Sequence, residues 1–297
     1  MARVVARAGM MFRPPQIPAS PLSHPAHCPA CGTAADATAD HLGYCLATCG
    51  GCALWFWAQR SAADYEAVYE TPEYQEVQTA DLEATTDPSH FVRHPTYAAF
   101  FRQVRAANGA RLLDLGCGVG RFLRAAHSLG WDVRGIDTSA RAIEIGARTA
   151  GFPMTTETLE QLRDAGATFD VVTAFEVLEH LEQPVEMLRS VISVLQPGGR
   201  FFCTVPNRLS PTVRTTRRQD WLPPVHLQFF TVEAMRRMLE RVGLADIRTG
   251  YVWADAWPPF GLSTGALRRV AGYGLRRLSG KLKPDPVGIW ATGRRAE

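Results

Sequence analysis

The sequence predicts an α/β protein, a mostly parallel sheet covered by helices on both faces, preceded by a small cysteine-rich module. Three observations predict it. From about residue 97 onward, short apolar runs alternate with segments whose apolar residues recur at helical spacing. A glycine-rich turn, within "LLDLGCGVGRFL" at residues 112–123, joins the first such run to the first such segment. Five of the seven cysteines fall within the 25 residues from Cys28 to Cys52.

Four zones follow in chain order. Residues 1–26 are Pro-rich and aperiodic and read as a disordered tail, with arginines but no coherent apolar block or cleavage site of a secretion signal. Residues 27–57 hold the cysteine cluster, and residues 58–96, with the acidic and aromatic "SAADYEAVYETPEYQEVQ", read as a connecting helical segment. Residues 97–297 form the α/β domain. There "RLLDL" reads as the first strand and "GVGRFLRAAHSLG" as the first helix, closed by Gly130. "DVRGID" is the second strand, and "TSARAIEIGARTA" a helix with Ser139 as N-cap and Gly151 as its stop. "FPMTTET" is a weak third strand and "FDVVTAF" a strong fourth, followed by a helix over "PVEMLRSVISVL" with Pro184 in its first turn. "GGRFFCTVP" is the fifth strand after a turn at "QPGG", "TVEAMRRMLERVG" a helix, and "ADIRTGYVWA" and "VGIWATGRR" the sixth and seventh strands.

Composition narrows the function. A chain of 297 residues, 46% hydrophobic, can fill one substantial core and a smaller one. The net charge of +3, from 32 basic and 29 acidic residues, gives no reason to expect nucleic acid as a partner. No stretch reaches the roughly 18 to 20 apolar residues of a membrane span. An odd cysteine count without a signal argues against a disulfide framework, and a cytoplasmic location is expected.

Gly116, Gly118 and Gly120 stand in the turn between first strand and first helix. Missing Cβ atoms there permit positive φ and close approach of a ligand, and the helix N-terminus offers N–H groups to an anion. Packing alone also produces such turns. Asp137 ends the second strand, 21 residues beyond Gly116, where a carboxylate can accept hydrogen bonds from both hydroxyls of a ribose. A nucleoside cofactor fits that pairing. The dinucleotide fingerprint G-x-G-x-x-G is not met, because counting from Gly116 and Gly118 its third glycine is Arg121.

"LLDLGCGVGRFL", "VRGIDTS", "FDVVTAFEVLEHLEQP", "LQPGGRFFCTVPN" and "HLQFFTVEAMRRMLERVGL" resemble, in that order, the successive motifs of class I S-adenosylmethionine-dependent methyltransferases. The branch most resembled is that of the ubiquinone-biosynthesis O-methyltransferases, over roughly residues 97–255 and the last strand. The resemblance implies a Rossmann-like, doubly wound sheet of seven strands, in the order 3-2-1-4-5-7-6 with the last strand antiparallel. It places Gly116, Gly118 and Gly120 beneath the methionine part of S-adenosylmethionine, with Asp114 orienting the loop or the cofactor's amino group. Asp137 would hold the ribose. Leu159 and Glu160 would contact the adenine, and Glu176 would face the methionine end or the acceptor.

Methyl transfer from a sulfonium is an in-line displacement that needs a base only when the acceptor keeps its proton. His180, in "EVLEHLEQP", and His226, in "VHLQFF", are the candidate bases. Each could equally be a structural histidine.

Cys28-x2-Cys31-x17-Cys49-x2-Cys52 has the spacing of a zinc ribbon, and four thiolates leave no open coordination position, so the metal would be structural. Cys45 is an alternative to Cys49, which the tighter turn of "CGGC" favours. A redox dithiol would not explain two matched knuckles. Residues 263–283 carry six Lys or Arg and no acid on a roughly amphipathic pattern. That segment could touch a membrane surface or nucleic acid, close over the acceptor, or face water. The expected function is methyl transfer from S-adenosylmethionine to an oxygen, or a nitrogen, of a small or lipid-like molecule. The alternatives are a zinc-ribbon RNA base methyltransferase and a non-catalytic cofactor-binding scaffold.

Overall fold

The computed structural model describes residues 27–35, 37–42, 44–57, 88–105, 108–215, 221–223, 225–253 and 285–297. The expected tail, residues 58–87 of the connecting segment with Tyr65, Tyr69 and Tyr74, and the basic segment 263–283 lie outside the described residues.

The alternating pattern builds one seven-stranded sheet. Its strands are β4 (Arg111–Leu115), β5 (Asp132–Ile136), β6 (Met154–Thr155), β7 (Phe169–Phe175), β8 (Leu195–Pro206), β10 (Ala245–Val252) and β11 (Gly288–Arg294). They lie in the order β6-β5-β4-β7-β8-β11-β10. Counted within the sheet this is 3-2-1-4-5-7-6, as expected. The first five run parallel, and β11 is antiparallel to both β8 and β10.

Side chains alternate across a strand, so neighbouring apolar residues fill different cores. Leu112, Val171 and Phe202 pack on one face, with α2 (Pro95–Gln103), α3 (Arg121–Ser128) and α4 (Ala140–Ala150). Leu113, Val172, Phe201 and Cys203 pack on the other, with α5 (Leu159–Asp164), α6 (Pro184–Val194) and α8 (Val232–Arg241). Ser139 caps α4, its hydroxyl accepting from the Ala142 N–H, and Gly151 ends that helix at φ 73°. The short α1 (Pro88–Val92) and α2 precede the first strand of this sheet. Phe100 of α2, fully buried, brings its ring 5.1 Å from that of Phe122 and 5.3 Å from that of Phe202.

The cysteine module adds a second sheet. β1 (Ala37–His41) and β2 (Tyr44–Thr48) form a hairpin, β3 (Trp55–Phe56) pairs with β2, and β9 (Gln228–Phe229) pairs with β3. The fourth strand therefore comes from the α/β domain. Thr231, the N-cap of α8, also donates its hydroxyl to the Cys52 carbonyl at 3.1 Å, and Arg241 reaches the Ala30 carbonyl. Leu54 and Phe56 share one core with α6 and α8.

Candidate active site and candidate metal centre

Parallel strands end together, and the loops after β4, β5, β7 and β8 converge at one edge of the sheet. Gly116, Gly118 and Gly120 have φ of 69°, 53° and 81°, in the left-handed region that side chains avoid. They differ in what a Cβ would meet. At Gly116 it would lie 2.6 Å from Val177 Cγ2 and at Gly120 3.0 Å from Met154 Sδ, but at Gly118 it would meet nothing within 4 Å among the described residues. Packing thus accounts for two of the glycines, and the third borders open space.

Asp137 closes onto this loop. Its Oδ2 accepts from the Gly118 N–H at 2.7 Å and its Oδ1 from the Ser139 N–H at 2.9 Å. Asp114 lies deeper, 3% exposed, accepting from the Thr173 hydroxyl at 2.7 Å. Burial, with the Asp137 charge adding to it, pushes its pKa up to about 8. Glu176 follows β7 at φ 55° and takes a hydrogen bond from the Thr204 hydroxyl at 2.8 Å. The residue is open to solvent, yet enough protein surrounds its carboxylate to push the pKa up to about 7. Leu159 and Glu160 are placed differently from the glycine loop. Leu159 is 3% exposed in the core beneath α5. Glu160 points to α6, where the Ser190 hydroxyl donates to it at 2.8 Å.

The two histidines come together. His180 ends a 3₁₀ turn (Leu178–His180), and its ring centre is 4.7 Å from that of His226, edge to face. His180 Nδ1 is 2.9 Å from the Val225 carbonyl oxygen, which can only accept, so the proton sits on Nδ1 and Nε2 is the basic nitrogen of the neutral ring. Trp221 stacks on His226 at 6.2 Å.

A third group joins them. Glu179 is fully buried, its Oε1 is 3.7 Å from His180 Nε2, and among the described residues neither oxygen has a hydrogen-bond partner. Burial and the nearby Glu176 push its pKa well above the usual carboxylate range. One ligand-capable atom from each of Glu179, His180 and His226 lies within 4.8 Å of the others.

The four predicted cysteines also converge. The Sγ atoms of Cys28, Cys31, Cys49 and Cys52 all lie within 4.8 Å of one another, and Cys45 is outside the group. Cys28 and Cys52 are 3.5 Å apart and Cys31 and Cys49 3.4 Å, with all four cysteines free. Zn–S bonds of about 2.3 Å require a tetrahedron with edges of about 3.8 Å, slightly longer than these two. The knuckles repeat one geometry: the N–H of Gly32 donates to the Cys28 carbonyl and that of Ala53 to the Cys49 carbonyl, at φ 81° and 59°. The donor set is compatible with a closed zinc site.

This cluster is tied to the histidines through the backbone. The Trp57 N–H donates to the Leu227 carbonyl and the Leu227 N–H to the Glu179 carbonyl, both at 2.8 Å. Gln228 Nε2 reaches the Leu181 carbonyl at 3.1 Å. β9 is therefore held between the ribbon on one side and the Glu179–Leu181 turn on the other.

A seven-stranded sheet of this order, with a glycine loop and a terminal acid on its first two strands, defines a nucleoside-cofactor α/β protein. A family model described as a methyltransferase domain matches residues 90–249. The chain belongs to that family and is an S-adenosylmethionine-dependent methyltransferase. It is 32% identical over 180 residues to a ubiquinone biosynthesis O-methyltransferase of Cereibacter sphaeroides, covering 55% of this chain and 73% of that one. The mitochondrial ubiquinone biosynthesis O-methyltransferase of Schizosaccharomyces pombe is 36% identical over 115 residues, 36% of this chain and 42% of that protein's length. Among solved structures, the plantazolicin methyltransferase BpumL in complex with SAH shares the fold at a TM-score of 0.53 and 16% identity, covering 78% of this chain and 93% of that one.

Proposed function

We propose that the protein transfers a methyl group from S-adenosylmethionine to an oxygen of a small, lipid-like acceptor. The observation that carries this reading is the glycine loop, latched at Gly118 by Asp137 and packed at Gly116 against Val177, the residue before the turn that holds the buried Glu179 and His180. The names of the curated relatives support oxygen as the accepting atom and a lipid-like acceptor.

Bound S-adenosylmethionine supplies an electrophilic methyl carbon on a sulfonium. Gly116, Gly118 and Gly120 let the backbone pass beneath its methionine part, and Asp114 orients its ammonium group. The Asp137 oxygens receive the ribose hydroxyls. Leu159 and Glu160 remain the proposed adenine contacts, although Leu159 lies in the core and Glu160 turns to Ser190. Glu176 lines the methionine end of the cleft. His180 Nε2 takes the acceptor's hydroxyl proton, with His226 beside it and the Glu179 carboxyl 3.7 Å from that nitrogen. The four thiolates of Cys28, Cys31, Cys49 and Cys52 hold a structural zinc ion.

The test is to incubate the protein with methyl-labelled S-adenosylmethionine and a cell extract, and to follow donor conversion and labelled products by mass spectrometry. Label in a small extractable metabolite is expected. Label only in RNA would replace this reading with base methylation, and cofactor binding without transfer to any fraction would replace it with a scaffold.

A further inference from the structure

We infer that Arg208 is an anion-recognition residue of the acceptor site, and that the acceptor therefore carries a carboxylate or phosphoryl group apart from the atom that is methylated. The inference rests on the methyl-transfer reading for the identity of the acceptor, and on the geometry of Arg208 for the anion. Arg208 lies just past the end of β8, four residues after Thr204, whose hydroxyl binds Glu176. Its backbone is fixed on both sides: the Arg208 N–H donates to the Phe230 carbonyl at 2.9 Å, and Asn207 Nδ2 binds the Pro286 carbonyl at 2.8 Å. The guanidinium is laid on the ring of Trp55, 4.2 Å from its centre. Trp55 pairs across β3 and β9 with Phe229, three residues from His226.

So placed, the cation is held but not neutralised. Among the described residues no carboxylate forms an ion pair with it, and its Nε, buried from solvent, has no hydrogen-bond partner. Among the described residues a second cation, Arg214 on α7 (Pro211–Thr215), acts on it and adds to the cost. Arg208 is half-buried, and a guanidinium partly withdrawn from water with a buried, unsatisfied Nε–H is costly, while its planar fork matches an oxyanion in two hydrogen bonds. Stacking on Trp55 fixes the fork before any ligand arrives, so little side-chain freedom is lost on binding. The ribbon thereby takes part in the acceptor site.

The test follows the Arg208 Nε–H resonance while benzoate, and separately inorganic phosphate, is titrated into the protein with S-adenosylhomocysteine present. A saturable shift is expected, and the probe that saturates at lower concentration tells a carboxylate from a phosphoryl group. By calorimetry, Arg208→Gln should bind that probe at least about tenfold more weakly, and Arg208→Lys should recover only part of the loss. An Nε–H unmoved by both probes, or a shift that never saturates, overturns the inference. Cofactor binding measured in the same samples separates the two readings. A saturable Arg208 shift without cofactor binding would remove the methyl-transfer reading and leave the anion site; cofactor binding with an unmoved Nε–H would do the reverse.

Discussion

The Asp137 carboxylate accepts the Gly118 N–H at 2.7 Å, so the acid at the end of the second strand is clamped to the glycine loop at the end of the first. A second backbone N–H, that of Ser139, takes its other oxygen. The acid thus sets the loop's shape, besides its proposed role toward the ribose. Asp137→Asn keeps one acceptor and loses the charge. It is expected to weaken S-adenosylmethionine binding by at least about tenfold in calorimetry, since hydrogen bonds to charged groups contribute about 1.5–3 kcal/mol. A variant that lost stability and kept its affinity would reduce Asp137 to a loop clamp.

The three glycines should separate into two classes. Gly116→Ala and Gly120→Ala push a Cβ against Val177 and Met154, at 2.6 and 3.0 Å, and should lower the urea midpoint of the cofactor-free protein. Gly118→Ala adds a methyl to open space and carries only the cost of its φ, about 1 kcal/mol. Its larger effect should fall on cofactor affinity if the cofactor passes over this position as proposed. Equal affinity losses at all three positions would contradict that placement.

Asp114 gives a pH dependence whose sign can be worked out. Its folded pKa of about 8 lies above the ordinary value of 3.8, so the native state holds a proton that the unfolded chain releases. The stability tied to that proton is complete below pH 4 and is lost as pH rises through about 8. Cys117, whose thiol is pushed well above its ordinary range by burial and by the Asp114 and Asp137 charges, stays a thiol throughout this range. Asp114→Asn retains an oxygen for the Thr173 hydroxyl and removes the titration. The variant should match the native protein near pH 4 and exceed it by on the order of 5 kcal/mol at pH 8. Urea melts of both proteins at several pH values check this, and parallel curves would refute it.

The sheet was legible because each strand obeys a local rule. Leu112 and Leu113, or Val171 and Val172, read as a continuous apolar run, and the fold sends them to opposite cores. The glycine loop, Asp137 and the two knuckles were legible for the same reason: their spacing is short and chemically constrained. What failed to show was non-local. β9 is two residues long and pairs with a strand near the other end of the chain, so no periodicity marks it. Glu179 stands next to His180 in "EVLEH", and only its burial separates it from a solvated acid. β6 is also two residues long, which leaves the register after it unspecified and places Leu159 inward and Glu160 toward Ser190. Arg208 falls in the segment with least pattern, and its meaning comes from Trp55, far away in sequence.

Removing the metal should be felt beyond the ribbon. The Cys52 carbonyl accepts from Thr231, and β3 continues directly into the bond from the Trp57 N–H to the Leu227 carbonyl. Treatment with a zinc chelator, or Cys52→Ser, should release one zinc ion per chain. It should also speed hydrogen exchange at the Trp57 and Leu227 amides while leaving Leu113, in the middle of the large sheet, protected. Loss of metal with unchanged exchange at Leu227 would mean that β9 keeps its place without the ribbon.

The histidines make the sharpest distinction between a chemical and a structural role. His180 is oriented by the Val225 carbonyl, so Nε2 is the nitrogen able to accept a proton, and His226 lies edge-on against it. If His180 removes the acceptor's proton, His180→Ala should lower kcat by about 10²- to 10⁴-fold and leave the affinity for S-adenosylmethionine unchanged. The loss should shrink as pH rises, because an acceptor hydroxyl that ionises in solution no longer needs a base. His226→Ala should then show the smaller effect, through the position of the His180 ring. The reverse order would make His226 the base, and equal losses at every pH, with a lowered urea midpoint, would make both residues part of the scaffold that holds β9 against the 3₁₀ turn.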